Sequence, residues 1–213
     1  MKQLVFLFAT FLVAGMMNAQ ELKVIKLEAP TKTGGEPVMK AFDNRKSDRE
    51  FAPDKLKSRD LSNLLWAANG INRADGKRTA PSAINAQDVD VYVIMAEGAY
   101  IYDAKAHALN PVAAGDLRGA VAGTGQDFVK AAPVSLVIVS ELTRLGKNPD
   151  ENTRLMGAVD VGIVCQNINI ACAGLGLVTV PRASMDKAAL AKALKLKDTQ
   201  LLLMNNPVGY PKK

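Results

Sequence analysis

Between Asn148 and Leu177 the chain reads NPDENTRLMGAVDVGIVCQNINIACAGLGL, and beyond Arg154 its only full charge is Asp160. Asn148 suits a helix cap, Pro149 suits the first helical position, and Asp150 and Glu151 place negative charge where unpaired backbone N–H groups point. Gly174 and Gly176 supply the stop. The intervening residues make roughly 37 Å of helix at 1.5 Å per residue. Small and apolar residues from Met156 to Ala173 occupy nearly every face, so packing on one side alone would leave apolar surface in water. Asp160, Gln166, Asn167 and Asn169 would be costly in lipid, and a chain of 213 residues encloses such a helix most readily against a second copy of itself. The sequence therefore predicts a long central helix, buried all round, at a homodimer interface.

The start of the chain has a different character. Lys2 precedes an uncharged run, Leu4 to Met17, that exits through Asn18-Ala19-Gln20, the layout of a secretory signal peptide cleaved after Ala19. That run is short for a bilayer span. The expectation is a periplasmic or otherwise exported protein without stable membrane insertion: a signal peptide over 1–19, an arm and short helix over 20–44, and one domain over 45–213. Cys165 and Cys172 lie about 10.5 Å apart along the predicted helix, beyond the roughly 7 Å that a disulfide allows, so both are expected to be free and buried. No Cys/His metal spacing occurs, and the lone His107 falls in a predicted hairpin, as a turn or surface residue. A net charge of +6 without interleaved aromatic residues favours anionic small molecules over nucleic acid.

Arg45-Lys46-Ser47-Asp48-Arg49-Glu50-Phe51 follows a short predicted helix at Val38 to Asp43. In an extended segment Arg45, Ser47 and Arg49 share one face, which suits a phosphate, although a solvated charge cluster is the plainer reading. Ser58 is placed to cap a helix carrying Leu61, Leu64, Leu65 and Ala68 and ending at Gly70. Arg78 to Gln87, RTAPSAINAQ, is a polar loop of small residues fit to lie against a planar ligand. The strand Val89 to Ala96, Tyr100 to Asp103 and a return through Leu109 predict an antiparallel meander. A helix near Asp116 to Ala122 and a strand Val134 to Ser140 precede the central helix. A short strand Leu177 to Val180, a helix from Ser184 and a strand Gln200 to Asn205 follow it. Interspersed helices and hairpins of this kind make an α+β fold, expected in three layers.

From about Lys46 to Pro211 the chain resembles the FMN-dependent nitroreductase family, including its azoline-oxidase-like branch. The resemblance is carried by Arg45 to Phe51, by LSNLLWAANG at Leu61 to Gly70, by Arg78 to Gln87, by Asp160 to Gly176 with its QNI and GLG, and by Pro207-Val208-Gly209-Tyr210-Pro211. It implies a three-layer fold with a mixed or antiparallel sheet flanked by helices, and a homodimer holding two FMN molecules at its interface. Arg45 and Ser47, with Lys46 beside them, would hold the FMN phosphate, and Arg49 would stand by the N1/O2 edge of the ring. Pro81, Ser82, Ala83 and Asn85, with Gln87 nearby, would reach the flavin from the other subunit. Pro181, Arg182, Ala183 and Ser184 align with the segment whose backbone faces the ring and whose N–H reaches N5. Relatives often carry an acidic residue where Ala183 stands, and a basic pair beyond the Gly-Tyr-Pro segment where this chain has Lys212 and Lys213. The implied activity is ping-pong transfer from a small-molecule donor, in the family usually a nicotinamide, to a nitroaromatic or quinone acceptor, with no catalytic protein nucleophile. A non-enzymatic flavin carrier, or a degenerate dimeric scaffold of the same fold, is the alternative.

Overall fold

Val89, Val91 and Val93 alternate with Tyr92 and Ile94, and Leu136 and Ile138 alternate with Val137 and Val139; every one of these side chains is buried. Strands apolar on both faces need cover on both, and the computed structural model, which describes residues 21–212, provides it. The predicted signal peptide lies outside the described residues. A seven-stranded sheet runs in the order β1-β4-β3-β2-β5-β7-β6, antiparallel at every pairing. Its strands are β1 (Ile25–Lys26), β2 (Val89–Ile94), β3 (Gly98–Asp103), β4 (Ala108–Ala114), β5 (Val134–Glu141), β6 (Val178–Thr179) and β7 (Gln200–Gly209).

On one face lie α1 (Val38–Asn44), α2 (Ser58–Asn69) and α5 (Glu151–Gly174), with a core of Leu61, Leu64, Leu65, Val91, Val93, Leu136, Val164 and Ile168. On the other lie α3 (Arg118–Ala122), α4 (Phe128–Ala131) and α6 (Lys187–Ala193), around Tyr92, Val121, Val137, Val139 and Leu190. The three-layer α+β architecture is the one expected.

The boundaries moved for identifiable reasons. The cap of α5 is Asp150, accepting from Thr153 N at 2.8 Å, rather than Asn148, and α6, expected to start at Ser184, starts at Lys187 behind Asp186, whose side chain accepts from Ala189 N at 2.9 Å. At α2 the cap position is Lys57, and Ser58 makes no capping bond. β7 continues past Asn205 to Gly209, because Asn205, Asn206 and Pro207 all find buried partners for their polar groups. The helix α4 was not foreseen. His107 sits in the β3–β4 turn at φ 46°, its ring between Tyr102 OH at 2.9 Å and Ser62 Oγ at 2.8 Å.

By length and composition α5 is apolar enough to cross a membrane; here it packs against α2, α1, β5 and β7. Within one chain it is not buried all round. Gly157, Asp160, Val161, Val164, Cys165, Ile168, Asn169 and Cys172 are buried, whereas Leu155 is 57% exposed and Val159 49%. Both cysteines are free.

Candidate active site

The chain leaves α1 at Arg45, whose N–H still bonds to Ala41 O at 3.0 Å while ψ 118° turns it into an extended path. That path is stitched down at Asp48, whose N–H donates to Thr179 O at 2.9 Å, and at Phe51, which bridges to Pro211. Arg45, Lys46, Ser47 and Arg49 are exposed, and Asp48 is half-buried. Lys46 leans on Asp48 at 3.6 Å. Among the described residues, the side chains of Arg45, Ser47 and Arg49 have no hydrogen-bond or ion-pair partner. Lys212 is exposed beside Pro211, near this segment.

Directly after β6, Pro181–Ser184 runs along β7. Arg182 pairs with Asn205 through both backbone bonds, at 2.9 and 2.7 Å, so its N–H is not free for a ligand. Its side chain is only 6% exposed. The guanidinium donates to Gln126 Oε1 (2.8 Å), Val121 O (3.0 Å), Ala122 O (2.9 Å) and Asn205 Oδ1 (2.7 Å), over the ring of Phe128. Arg182 is therefore a strut that ties the end of α3 to β7, its N–H and guanidinium already bonded within the chain. Ala183 and Ser184 are exposed, and neither N–H has a partner among the described residues.

Behind this edge, between α5 and β7, lies a polar group that sequence reasoning missed. Asn206 Nδ2 donates to Asn169 Oδ1 at 2.9 Å and to Thr179 Oγ1 at 3.2 Å, and Cys165 Sγ donates to Asn206 Oδ1 at 3.2 Å. Burial pushes the Cys165 thiol up to about 11, so it stays protonated and inert. The only hint in the sequence was that amides recur in an otherwise apolar helix.

The loop from Arg78 to Gln87 lies elsewhere. Ala83 N donates to both carboxylate oxygens of Asp160, at 3.1 and 2.9 Å. Ile84, Asn85 and Gln87 all have positive φ, of 49°, 56° and 49°, a conformation that a β-branched residue adopts only under constraint. Ile84 is 84% exposed. Ser82 Oγ accepts from Gln87 N at 2.8 Å, and the Gln87 amide is held by Arg78 Nε (3.1 Å) and Gly76 O (3.2 Å), so Gln87 shapes the loop from within. Pro81 and Asn85 are exposed, and Ala83 is half-buried.

The expected site residues thus form two groups in one chain. Arg45–Arg49 follows α1 near the C-terminal end of α5, where Glu36 N bonds to Gly174 O at 2.8 Å, and is tied through Asp48 N to Thr179 O on β6, from which the chain runs on to Ala183–Ser184. The Pro81–Gln87 loop sits at Asp160, about 21 Å back along the helix at 1.5 Å per residue. A cleft of about 650 Å³ lies beside that loop, lined by Arg78, Gln87, Asp90, Tyr102 and Arg144 among others.

A profile of the nitroreductase family matches residues 43–210. The chain belongs to that family. A Methanocaldococcus jannaschii protein provisionally named a nitroreductase is 31% identical over 173 residues, covering 78% of this chain and 86% of its own. A crystal structure from Ralstonia eutropha, also of a provisionally named nitroreductase, superposes with a TM-score of 0.82 at 37% identity, covering 89% of this chain and 90% of that one. Nitroreductase A of Vibrio parahaemolyticus, at 22% identity and a TM-score of 0.62 over 83% of this chain and 68% of its own, shares the fold. The chain is an oxidoreductase of the nitroreductase type, from a family that generally uses flavin.

Proposed function

We propose that this nitroreductase is an exported homodimer that binds FMN and passes electrons from a small reduced donor to an electron-poor acceptor such as a nitroaromatic or quinone. The observation that carries the reading is the set of unspent donors on one edge: Arg45, Ser47 and Arg49, with the free N–H groups of Ala183 and Ser184. These fit the two ends of FMN. Arg45 and Ser47 offer charged and hydroxyl bonds to a phosphate, with Lys212 close enough to the segment to add charge. Arg49 offsets negative charge at the pyrimidine edge of the ring, and the Ala183 and Ser184 amides donate toward its central edge. FMN, once bound, supplies the redox chemistry.

The dimer is supported by what a single chain leaves bare. Among the described residues, six of the seven exposed large hydrophobics fall in three places: Val38, Met39 and Phe42 on α1, Ile84 on the loop, and Leu155 and Val159 on α5. Two α5 helices laid side by side in opposite directions would cover these and carry the Pro81–Gln87 loop of one subunit to the Arg45–Arg49 segment of the other. The loop would then shield the bound ring from water, with Asn85 and Pro81 on its exposed side.

Anaerobic reduction of the FMN-loaded protein by NADH and NADPH, followed by a panel of acceptors, tests the activity. Bound FMN that no donor reduces would make the protein a carrier. Arg45→Ala is expected to lower FMN affinity by about 1.5–3 kcal/mol, the worth of a charged hydrogen bond. Arg49→Ala is expected in addition to lower the flavin's reduction potential. Unchanged FMN retention in both variants would return the cluster to a solvated face.

A further inference from the structure

Asp88 follows the last residue of the loop and leads into β2, and its side chain is fully buried. Ser140 Oγ donates to its Oδ2 at 2.5 Å, while Oδ1 has no donor among the described residues. The neighbouring carboxyl that acts on Asp88 is that of Asp160 on α5, itself buried. Two carboxylates bond to one another only if one carries a proton. The approach is built into the backbone: a Cβ on Gly157, one turn before Asp160, would stand 2.5 Å from Ser140 Oγ, so only glycine lets α5 come this near.

Asp160 also holds Ala83 N through both oxygens. The loop is thereby pinned at its middle by Asp160 and at its exit by Asp88, and the two pins meet in one pair. Charges on the neighbouring elements do not neutralise it. Arg144, after β5, is bidentate to Asp90 at 2.8 and 2.9 Å, Arg78 spends its guanidinium on Gln87 and Val89 O, and α2 presents the neutral amide of Asn69 to Val89 O.

We propose that Asp88 and Asp160 hold one proton between them, and that Asp88 is a positioning residue that keeps Asp160 aimed at Ala83 N and so sets the Pro81–Gln87 loop. The functional consequence rests on reading that loop as cover for a partner's flavin; the bridge does not. Burial, and then the Asp160 carboxyl, push Asp88 from 3.8 up to about 6 against the opposing bond from Ser140. Because the folded-state value is the raised one, the bridge contributes stability at low pH and loses it as pH rises through about 6.

Infrared spectra of the full chain, with and without FMN, are expected to show a carboxylic-acid carbonyl band at about pH 5 that fades by about pH 7.5, on either side of the titration. Asp88→Asn and Asp160→Asn should each remove it. Exchange of the Ala83 amide, corrected for intrinsic rate, is expected to speed up roughly tenfold over that interval, equivalent to one unit of proton linkage. In Asp88→Asn, whose amide donates to Asp160 at any pH, it should be flat. Absence of the band from the wild type at low pH, or its persistence in both variants, overturns the shared proton. Ala83 exchange indifferent to pH in the wild type overturns the positioning role. Neither readout needs FMN to bind, so a failed cofactor assignment would leave both intact.

Discussion

The two sides of α5 invert the usual order of a helix on a protein surface. On the side facing its own chain, Gly157, Asp160, Val161, Val164, Cys165, Ile168, Asn169 and Cys172 recur at three- and four-residue steps, and the set includes a carboxylate and an amide. On the side facing away, Leu155 and Val159 stand exposed, with Gly162 and Ile163 half-covered beside them. A solvent-facing helix would put the polar residues outside and the aliphatic ones inside. Here the buried polar groups have dedicated partners, Ala83 N for Asp160 and Asn206 for Asn169, which removes the penalty of burying them. Among the described residues nothing covers Leu155 and Val159 on the other side, and exposed apolar surfaces of that kind mark contacts with another chain. Polarity on this helix therefore reports which contacts are specific rather than where water is.

Four substitutions test that contrast, in descending order of effect. Val159→Glu puts a carboxylate on the bare side of each subunit, and desolvating it costs several kcal/mol per ion. Sedimentation is expected to show monomers with unchanged helical circular dichroism, and a dimer that tolerates the charge would place the interface elsewhere. On the sealed side, Ile168→Ala is expected to lower stability by about 2–5 kcal/mol in urea unfolding. Gly157→Ala, with its Cβ driven against Ser140 Oγ and Leu142, is expected to cost about 1–3 kcal/mol. Gly162→Ala sharpens the comparison, because a Cβ there meets nothing within 4 Å. Placed in the dissociated Val159→Glu chain, it is expected to stabilise by roughly 0.5–1 kcal/mol through helix propensity alone. A loss instead in the dimer would locate the partner's surface at Gly162.

What was legible in the sequence follows from what each signal encodes. Hydrophobic period placed α2, α5, the meander and β5, because burial is a property of residue type and spacing. Helix starts were displaced by a few residues, since Asn148, Asp150, Ser184 and Asp186 are all competent acceptors and the winner depends on the direction from which the chain arrives. The site was legible as motifs but not as roles. Arg45, Arg49 and Arg182 look alike in a string of letters, yet the first two are unspent and the third is consumed by the carbonyls at the end of α3. The bond from Ala83 to Asp160 joins residues 77 positions apart, beyond the reach of any local pattern. Of all the residues in α5, Asp160 was the one whose charge broke the pattern, and that break was the available clue.

The sheet order carries a consequence for how the chain comes to exist. β7, the last strand in sequence among the described residues, does not lie at an edge: it is inserted between β5 and β6 and pairs with β5 from Val134 to Glu141. Until Gln200–Gly209 has left the ribosome, β5 has one open side, and Arg182, Asn169 and Thr179 lack the partners they find on β7, Asn205, Asn206 and Pro207. A nascent chain can assemble the β2–β3–β4 meander early, but closure of the sheet depends on contacts distant in sequence, which form slowly. Closure of the sheet is thereby deferred until Gln200–Gly209 is available to pair with both β5 and β6.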